Sequence, residues 1–149
     1  MKLRPLRATD IDTLSHWLPR AAAEARCERW SSDGSLREAT GQEHIIVVSE
    51  DGPRALLEYE TEAPIRGAAQ IRFFAVEPHS RRLGIGGRAA LALERRLTRS
   101  ASRLYVLVPE RLGLALYFWL RLGYRPLTQS EWPAAPEGGA AAWMVRDLR

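Results

Sequence analysis

The chain has 149 residues, enough for one domain that buries its own hydrophobic core. Its 46% hydrophobic and 27% charged residues are typical of a globular protein, and no apolar run approaches the ~20 residues of a transmembrane helix. One cysteine excludes an intrachain disulfide, and the first residues contain no apolar segment of the kind found in signal peptides. We therefore expect a single cytoplasmic domain, residues 1–149, with no part in the membrane.

The charge pattern limits the class of partner. The net charge is +4, from 22 lysines and arginines against 18 acidic residues, and the two signs are interleaved along the chain. Without a basic block, we expect a solvated surface and no nucleic-acid partner. A basic balance nevertheless suits a small polyanionic ligand.

The first third of the chain predicts a strand followed by two helices. Residues 3–7 have the pattern of a strand, and residues 9–12 resemble a capping box at the start of a helix that ends near Trp17. Pro19 is tolerated in the first turn of a second helix, residues 19–29. Residues 31–35 have the composition of a loop.

Three strands are predicted next. Residues 44–49 contain a β-branched run that is typical of a buried strand, and the turn signal Asp51-Gly52-Pro53 leads into its hairpin partner, residues 54–61. A second turn at residues 63–67 precedes a strand over Ala68–Val76.

The remainder alternates helices and strands. Its predicted elements are a helix over residues 86–98, a strand over 104–108, a helix over 113–122 and strands over 124–128 and 141–148. The unit from Ala68 to Val108 should be a parallel strand–helix–strand. We therefore predict an α/β fold with a mixed, mostly antiparallel sheet around this central parallel unit.

The segment after Val76 has the features of a phosphate site. Pro78 forces a turn, and the stretch Arg81-Arg82-Leu83-Gly84-Ile85-Gly86-Gly87-Arg88 opens a helix. Glycines allow a close approach of the backbone, and the unpaired amides and dipole at a helix start favour an anion. The arginines can add charge-assisted hydrogen bonds to phosphate.

The same segment resembles the GNAT superfamily of N-acetyltransferases. Arg81-Arg82-Leu83-Gly84-Ile85-Gly86, after Val76-Glu77-Pro78, is similar to the family signature Arg/Gln-x-x-Gly-x-Gly/Ala. Residues 112–124 are similar to a second family stretch, Asn-x-x-Ala-x-x-Leu-Tyr-x-x-x-Gly-Phe. The order of predicted elements also resembles the family fold over nearly the whole chain.

The resemblance implies an activity and a co-substrate. Acetyl-CoA would be held through its pyrophosphate by residues 81–88, and its pantetheine arm would pair with the backbone of Phe74, Ala75 and Val76. A backbone amide there would polarise the thioester carbonyl. A primary amine, carried by a small molecule or a peptide, would attack directly. A homodimer is compatible with the resemblance.

Two positions depart from the family pattern. Trp119 stands where many members have a tyrosine that protonates the leaving thiolate, and Gln70 stands where some have a catalytic glutamate. An indole is a poor proton donor, and an amide cannot act as a base. Tyr117 cannot replace the missing acid, because two residues along a helix turn the side chain by roughly 200°. Trp119 also has a core-packing interpretation, on one stripe with its helical neighbours.

Two carboxylates are candidates for a substrate contact or base. Glu58 alternates with Glu60 and Glu62 on a predicted strand, so the three should share one face, and Glu110 follows the strand that ends at Val108. The catalytic candidates are therefore Glu58, Glu110 and Trp119. The histidines lack metal-ligand spacing, so we expect no metal.

Two other functions stay open. Gly84-Ile85-Gly86-Gly87-Arg88-Ala89 formally matches a dinucleotide fingerprint, with Glu110 about 20 residues beyond it, which would indicate an oxidoreductase. Seven residues separate Val76 from Gly84, however, and a fingerprint should follow its strand directly. Trp119 and Gln70 keep open a non-catalytic protein of the same fold that binds acyl-CoA as a sensor or partner.

Overall fold

The computed structural model describes residues 1–136 and 139–149, without the side chain of Arg82. Within these ranges the strands are β1 (Lys2–Pro5), β2 (Ile45–Ser49), β3 (Pro53–Thr61), β4 (Ala68–Val76), β5 (Arg103–Pro109), β6 (Arg125–Pro126) and β7 (Ala141–Asp147). The α-helices are α1 (Ile11–Ser15), α2 (Leu18–Glu24), α3 (Asp33–Ala39), α4 (Ile85–Leu97) and α5 (Gly113–Arg121). Short 3₁₀ helices lie at Ala8–Asp10, Glu28–Trp30, Pro78–Leu83 and Gln129–Glu131.

The strands form one mixed sheet in the order β1-β2-β3-β4-β5-β7-β6. Strands β4 and β5 are parallel, with Ala68 opposite Arg103 and Ile71 opposite Val106, and α4 lies between them in the chain. The pairs β1–β2, β2–β3, β5–β7 and β6–β7 are antiparallel. The predicted fold class, a mostly antiparallel sheet with a parallel strand–helix–strand unit, is confirmed.

The residue contacts divide the chain into two compact units. The first contains Met1–Tyr59 and Phe73–Ala90, and the second contains Glu60–Arg72 and Leu91–Arg149. Each has its own cluster of buried apolar side chains. The expectation of a single domain over residues 1–149 stays a prediction. No helix in the described ranges combines the length and apolarity that a membrane crossing requires.

Strand β2 is buried on both faces in the first unit. Val47 joins a cluster that contains the buried residues of α1, α2 and α3, whereas Val48 joins a second cluster with Ala55, Ile85 and Ala89. Successive side chains of a strand point to opposite faces, so an apolar residue is required at every position. This explains the continuous β-branched run in the sequence, where alternation of polar and apolar residues would have indicated one solvated face.

Helix α3 was not predicted, because its first residues have the composition of a loop. Ser32 caps the helix, and its Oγ accepts a hydrogen bond from the backbone amide of Ser35 at 3.4 Å. Leu36 and Ala39 are each 1% exposed and pack in the first unit's core. A seven-residue helix is unstable in isolation, so burial of these two side chains decides its conformation.

The start of α1 is fixed by a buried ion pair rather than by the predicted capping box. Both guanidinium Nη atoms of Arg4 lie 2.8 Å from the carboxylate oxygens of Asp10, and the Arg7 amide donates to Asp10 Oδ2 at 2.9 Å. Burial disfavours the charged form of Asp10. The hydrogen bonds from Arg4 and Arg7 outweigh that effect, so the pKa of Asp10 is lowered.

The second unit is built on the long β5–β7 pair, which runs from Arg103 opposite Asp147 to Pro109 opposite Ala141. The rings of Tyr105 and Trp143 meet edge to face, with centroids 6.1 Å apart. Both are buried in a cluster with Ala68 and Val145. Cross-strand aromatic pairs of this kind stabilise an antiparallel ladder.

We predict that Asp10→Asn lowers the stability of the protein by about 2 kcal/mol at pH 7, because Arg4 loses a charged, bidentate partner. A lowered folded-state pKa stabilises the protein above the unfolded-state pKa, and this contribution is lost as the pH falls through the folded-state value. The difference in melting temperature between wild type and variant should therefore be full at neutral pH and shrink below about pH 4. The control is Asp12→Asn, at an exposed position in the first turn of α1. An equal deficit at every pH would contradict the assignment.

Candidate functional site

The turn between β4 and α4 contains the predicted phosphate site. Strand β4 ends at Val76, and a six-residue 3₁₀ helix, Pro78–Leu83, occupies most of the segment that the sequence suggested as a loop. Proline suits the first turn of a helix because it has no amide hydrogen to leave unpaired. The chain then turns at Gly84 and enters the thirteen-residue α4.

Gly84 gives this turn its shape. Its φ is +73°, in the left-handed region that strains residues with a side chain. No heavy atom lies within 4 Å of the position that a Cβ would occupy, so glycine is required by the backbone conformation rather than by crowding. The same observation shows that no described atom crowds the space beside Gly84.

The start of α4 presents backbone amides. The first helical hydrogen bond joins the amide of Arg88 to the carbonyl of Gly84 at 3.1 Å. The amides of Ile85, Gly86 and Gly87 precede it, at positions where an α-helix has no carbonyl of its own to offer. Together with the helix dipole, these donors have the arrangement that favours an anion, as the sequence predicts.

Glu77 holds the turn in place, and sequence reasoning missed it. Its carboxylate Oε2 accepts hydrogen bonds from Arg54 Nη1 and Ser80 Oγ, each at 3.1 Å. Its amide also donates to the Arg54 carbonyl at 2.8 Å. A glutamate three residues before a serine, at the end of a strand, is the signal that could have indicated this capped turn. The link to Arg54 has no local signal.

The arginines of the turn are engaged to different degrees. Arg88 donates to both oxygens of Glu50, at 3.0 and 3.3 Å, and to the Leu83 carbonyl. Arg81 is exposed and donates through Nε to the Val76 carbonyl at 3.3 Å. The side chain of Arg82 lies outside the described part of the structure. Arginine contacts to phosphate therefore stay a prediction, and Arg88 already has an ion-pair partner in Glu50.

The backbone groups that are predicted to contact the pantetheine arm lie at the end of β4. Phe74 and Val76 are half-buried and pack against the cluster that contains Ile85, whereas Ala75 is buried in the cluster of the opposite face. The register with β5 covers Ala68–Ile71, and β4 continues beyond it to Val76. Gln70 lies within the paired part and is 4% exposed.

The three glutamates of β3 and the turn after it do not form an open acidic face. Glu58 forms an ion pair with Arg29, and Glu60 accepts from Arg72 Nε at 2.7 Å. The carboxylate of Glu62 accepts from the Gly67 amide at 3.0 Å. The carboxylate of each is thus already occupied, Glu58 by a partner in its own unit.

Glu110 and Trp119 belong to the second unit. Glu110 is exposed just after β5, and its amide donates to the Ala140 carbonyl at 3.0 Å. Its carboxylate has no hydrogen bond or ion pair to any residue that the structure describes. Of the two candidate bases, Glu110 is therefore the one whose carboxylate is not held by an arginine.

Trp119 is a packing residue. It is 5% exposed, and its ring meets those of Phe118 and Tyr124 at centroid distances of 4.9 and 4.8 Å. Tyr117 is 59% exposed beneath the guanidinium of Arg121, on another side of α5, as the helical spacing indicated.

Tyr124 was not singled out in the sequence, although it is the aromatic residue that packs against Trp119. Its side chain is 2% exposed, and burial, followed by the neighbouring charge of Glu94, raises its pKa far above the ordinary value for tyrosine. Burial also raises the pKa of Glu94, which lies 3.0 Å from Arg146 Nε. Tyr124 therefore lacks the acidity and the exposure that protonating a departing thiolate requires.

No group of three histidine, cysteine, aspartate or glutamate side chains in residues 1–136 and 139–149 is arranged to hold a metal ion. The chemistry that this part of the chain can offer is that of backbone amides, guanidinium groups and carboxylates.

No protein-family model and no curated protein sequence matches the chain. The chain is, however, similar to solved structures. An acetyltransferase from Thermus thermophilus is 17% identical, with 98% of this chain and 96% of that chain covered and a TM-score of 0.73. A GNAT-family acetyltransferase from Staphylococcus aureus is 12% identical, with 99% of each chain covered and a TM-score of 0.70. GphF, a GNAT-like decarboxylase in complex with isobutyryl-CoA, is 16% identical over all of both chains, with a TM-score of 0.70.

These likenesses extend over the whole length of the chain on both sides of each comparison. A doubly wound dinucleotide-binding fold would need a mostly parallel sheet, so the oxidoreductase alternative has no support in this architecture. The chain has the fold of the GNAT acetyltransferases.

Proposed function

We propose that the protein is an acetyl-CoA-dependent N-acetyltransferase that acts on a primary amine. The observation that carries the proposal is the turn between β4 and α4, where Gly84 at a positive φ leads into the amide-rich start of a long helix. A GNAT-like neighbour was solved with isobutyryl-CoA, which supports an acyl-CoA as the ligand of this fold.

The residues present fit such a ligand. The open space beside Gly84 and the amides of Ile85, Gly86 and Gly87 suit a pyrophosphate group. The backbone of Phe74, Ala75 and Val76 leads directly to this turn and would hold the pantetheine arm. An amide of this strand would donate to the acyl oxygen, where charge develops during transfer.

Acetyl-CoA supplies an acyl group activated as a thioester. In the transfer, a bond forms between the amine nitrogen and the acyl carbon, the carbon–sulfur bond breaks, and the thiolate leaves with the bonding electrons. The amine must lose a proton, which Glu110 can accept because no arginine in the described ranges holds its carboxylate. Glu58 could do so only by leaving Arg29.

The buried Trp119 does not supply a proton to the thiolate. Because a thiol is a fairly strong acid, its thiolate can leave without a protein group to protonate it, and water can supply the proton afterwards. The absence of a tyrosine at this position is therefore compatible with turnover. The same feature, together with the buried amide of Gln70, is what supports the second candidate function, a protein that binds acyl-CoA without turning it over. Steady release of free thiol with any amine acceptor would exclude this second candidate.

Acetyl-CoA should raise the melting temperature, because a ligand that binds the folded state stabilises it by about 2.7 kcal/mol at a hundred times its Kd. Gly86→Asp should abolish the shift, since it places a carboxylate among the amides intended for pyrophosphate. Gly113→Asp, the same change at the start of α5, is the control and should retain the shift. Normal binding by a folded Gly86→Asp variant would refute the phosphate site.

Glu110→Gln should lower kcat by at least about tenfold at neutral pH, with part of the loss recovered at high pH as the amine substrate ionises less. Glu58→Gln should change kcat less, because its carboxylate is already committed to Arg29. The measurement is thiol release against pH for both variants and the wild type. A larger loss in Glu58→Gln would reverse the assignment.

Trp119→Ala should cost about 3–5 kcal/mol of stability, since it removes a buried ring that packs against Tyr124. Trp119→Tyr should cost less. If Trp119 belongs to the catalytic candidates, as the sequence predicts, both variants should also turn over more slowly at saturating acetyl-CoA, alanine far more than tyrosine. Turnover and melting temperature should be measured together. A folded Trp119→Ala variant with unchanged turnover would remove Trp119 from the active site.

A further inference from the structure

A pocket of about 510 Å³ lies in the first unit, beside the candidate cofactor turn. Of its lining residues, the sequence motif assigns a role only to Arg81, as a candidate contact to the cofactor pyrophosphate. One wall is the end of α1 and the start of α2, with His16, Trp17, Arg20 and Glu24. The other wall is the segment after β4, with His79 and Arg81 among its residues.

The pocket offers cationic donors. Arg20 is exposed and has no hydrogen bond or ion pair to any residue in the described ranges, although Glu24 stands four residues further along the same helix. Arg81 uses its Nε on a backbone carbonyl, which leaves the two terminal nitrogens of its guanidinium to donate elsewhere. Two guanidinium groups at one pocket favour a carboxylate or phosphate ligand, which they can bind through paired hydrogen bonds.

The acidic residues of the pocket do not cancel this preference. The carboxylate of Glu77 is occupied by Arg54 and Ser80. Glu24 has an interaction of its own and adds one negative charge. The pocket therefore keeps its cationic groups available for an anionic group of a ligand.

One neutral polar group of the pocket is also available to a ligand. The ring of His16 donates from Nδ1 to the Asp12 carbonyl at 2.6 Å, which leaves Nε2 as the nitrogen available to the pocket. Trp17 is 8% exposed, and its indole Nε1 is buried with no acceptor among the described residues. This atom is closed off from solvent in the packed core of the first unit, so it is not one of the pocket's accessible donors.

We propose that this pocket binds the anionic group of the acceptor, so that the substrate is a primary amine that also carries a carboxylate or a phosphate. The inference rests on the proposed function and names its substrate class. Arg20 is the specificity-determining residue, because it contributes charge to the pocket and takes no part in the candidate cofactor turn.

Binding is tested first, with inorganic phosphate as the probe and CoA present at saturation so that the cofactor turn is filled. Phosphate should raise the melting temperature of the wild type and of Arg37→Gln, a matched control on an exposed face of α3. Arg20→Gln should need at least about tenfold more phosphate for the same shift. An unchanged phosphate response in Arg20→Gln overturns the proposal.

The phosphate test separates this proposal from the proposed function. Gly86→Asp should lose the shift caused by acetyl-CoA and keep the shift caused by phosphate. If acetyl-CoA gives no shift in the wild type but Arg20→Gln still loses phosphate, the proposed function fails and the anion pocket stands.

Turnover identifies the source of the anionic group. With amino acids compared against their carboxamides in the thiol-release assay, Arg20→Gln should raise KM for the carboxylates at least about tenfold and leave KM for the amides unchanged. Equal changes in both would overturn the proposal. A second result would also overturn the proposal: Arg20→Gln binds acetyl-CoA more weakly than the wild type does, but binds acetyl-dephospho-CoA equally well. The pocket would then bind the 3′-phosphate of the cofactor.

Discussion

The carboxylate of Glu77 fixes the turn on which the candidate site depends. It lies between Arg54 and Ser80, and its own amide returns a hydrogen bond to the Arg54 backbone. Strand β3 is thereby joined to the end of β4 by a side-chain and a backbone contact. The 3₁₀ helix after Glu77 starts from this fixed point, so the direction of the chain at Gly84 and the position of the α4 amides follow from it.

Apolar packing on both faces of β2 stabilises the residues around this turn. Strand β2 packs against α1–α3 on one side and against the start of α4 on the other, through Val47 and Val48 respectively. Ile85, the first residue of α4, belongs to the second cluster. The residue that begins the helix is therefore held by apolar packing, while the amides beside it keep their hydrogen-bonding capacity for a ligand.

The departures from the family pattern change which groups can move protons. In the proposed acyl transfer, a buried indole at Trp119 and a buried amide at Gln70 would leave catalysis to a backbone amide that polarises the thioester and to the reactivity of the thioester itself. The two candidate carboxylates differ from each other, because Glu58 forms an ion pair whereas Glu110 is exposed. The His16 ring, with its tautomer set by the Asp12 carbonyl, is a further polar group that the sequence did not suggest.

Much of the fold was predictable because its signals are local. The β-branched run of β2, the bounds of β4 and the glycine-rich start of α4 all follow from periodicity and from the conformations that valine, proline and glycine prefer. Helix α3 escaped prediction because its seven residues are helical only through the burial of Leu36 and Ala39.

By itself, the sequence determined the order of the elements apart from α3, the position of the candidate phosphate site and the types of side chain available there. Only the tertiary structure decided which charged side chains are paired with another residue and which are available to a ligand. Arg88 meets Glu50 across 38 residues, and Glu77 meets Arg54 across 23, whereas Arg20 and Glu24, at the spacing of a helical ion pair, do not meet. Periodicity encodes neighbours along one element, but the partner of a charged side chain is set by packing between elements that are distant in the chain.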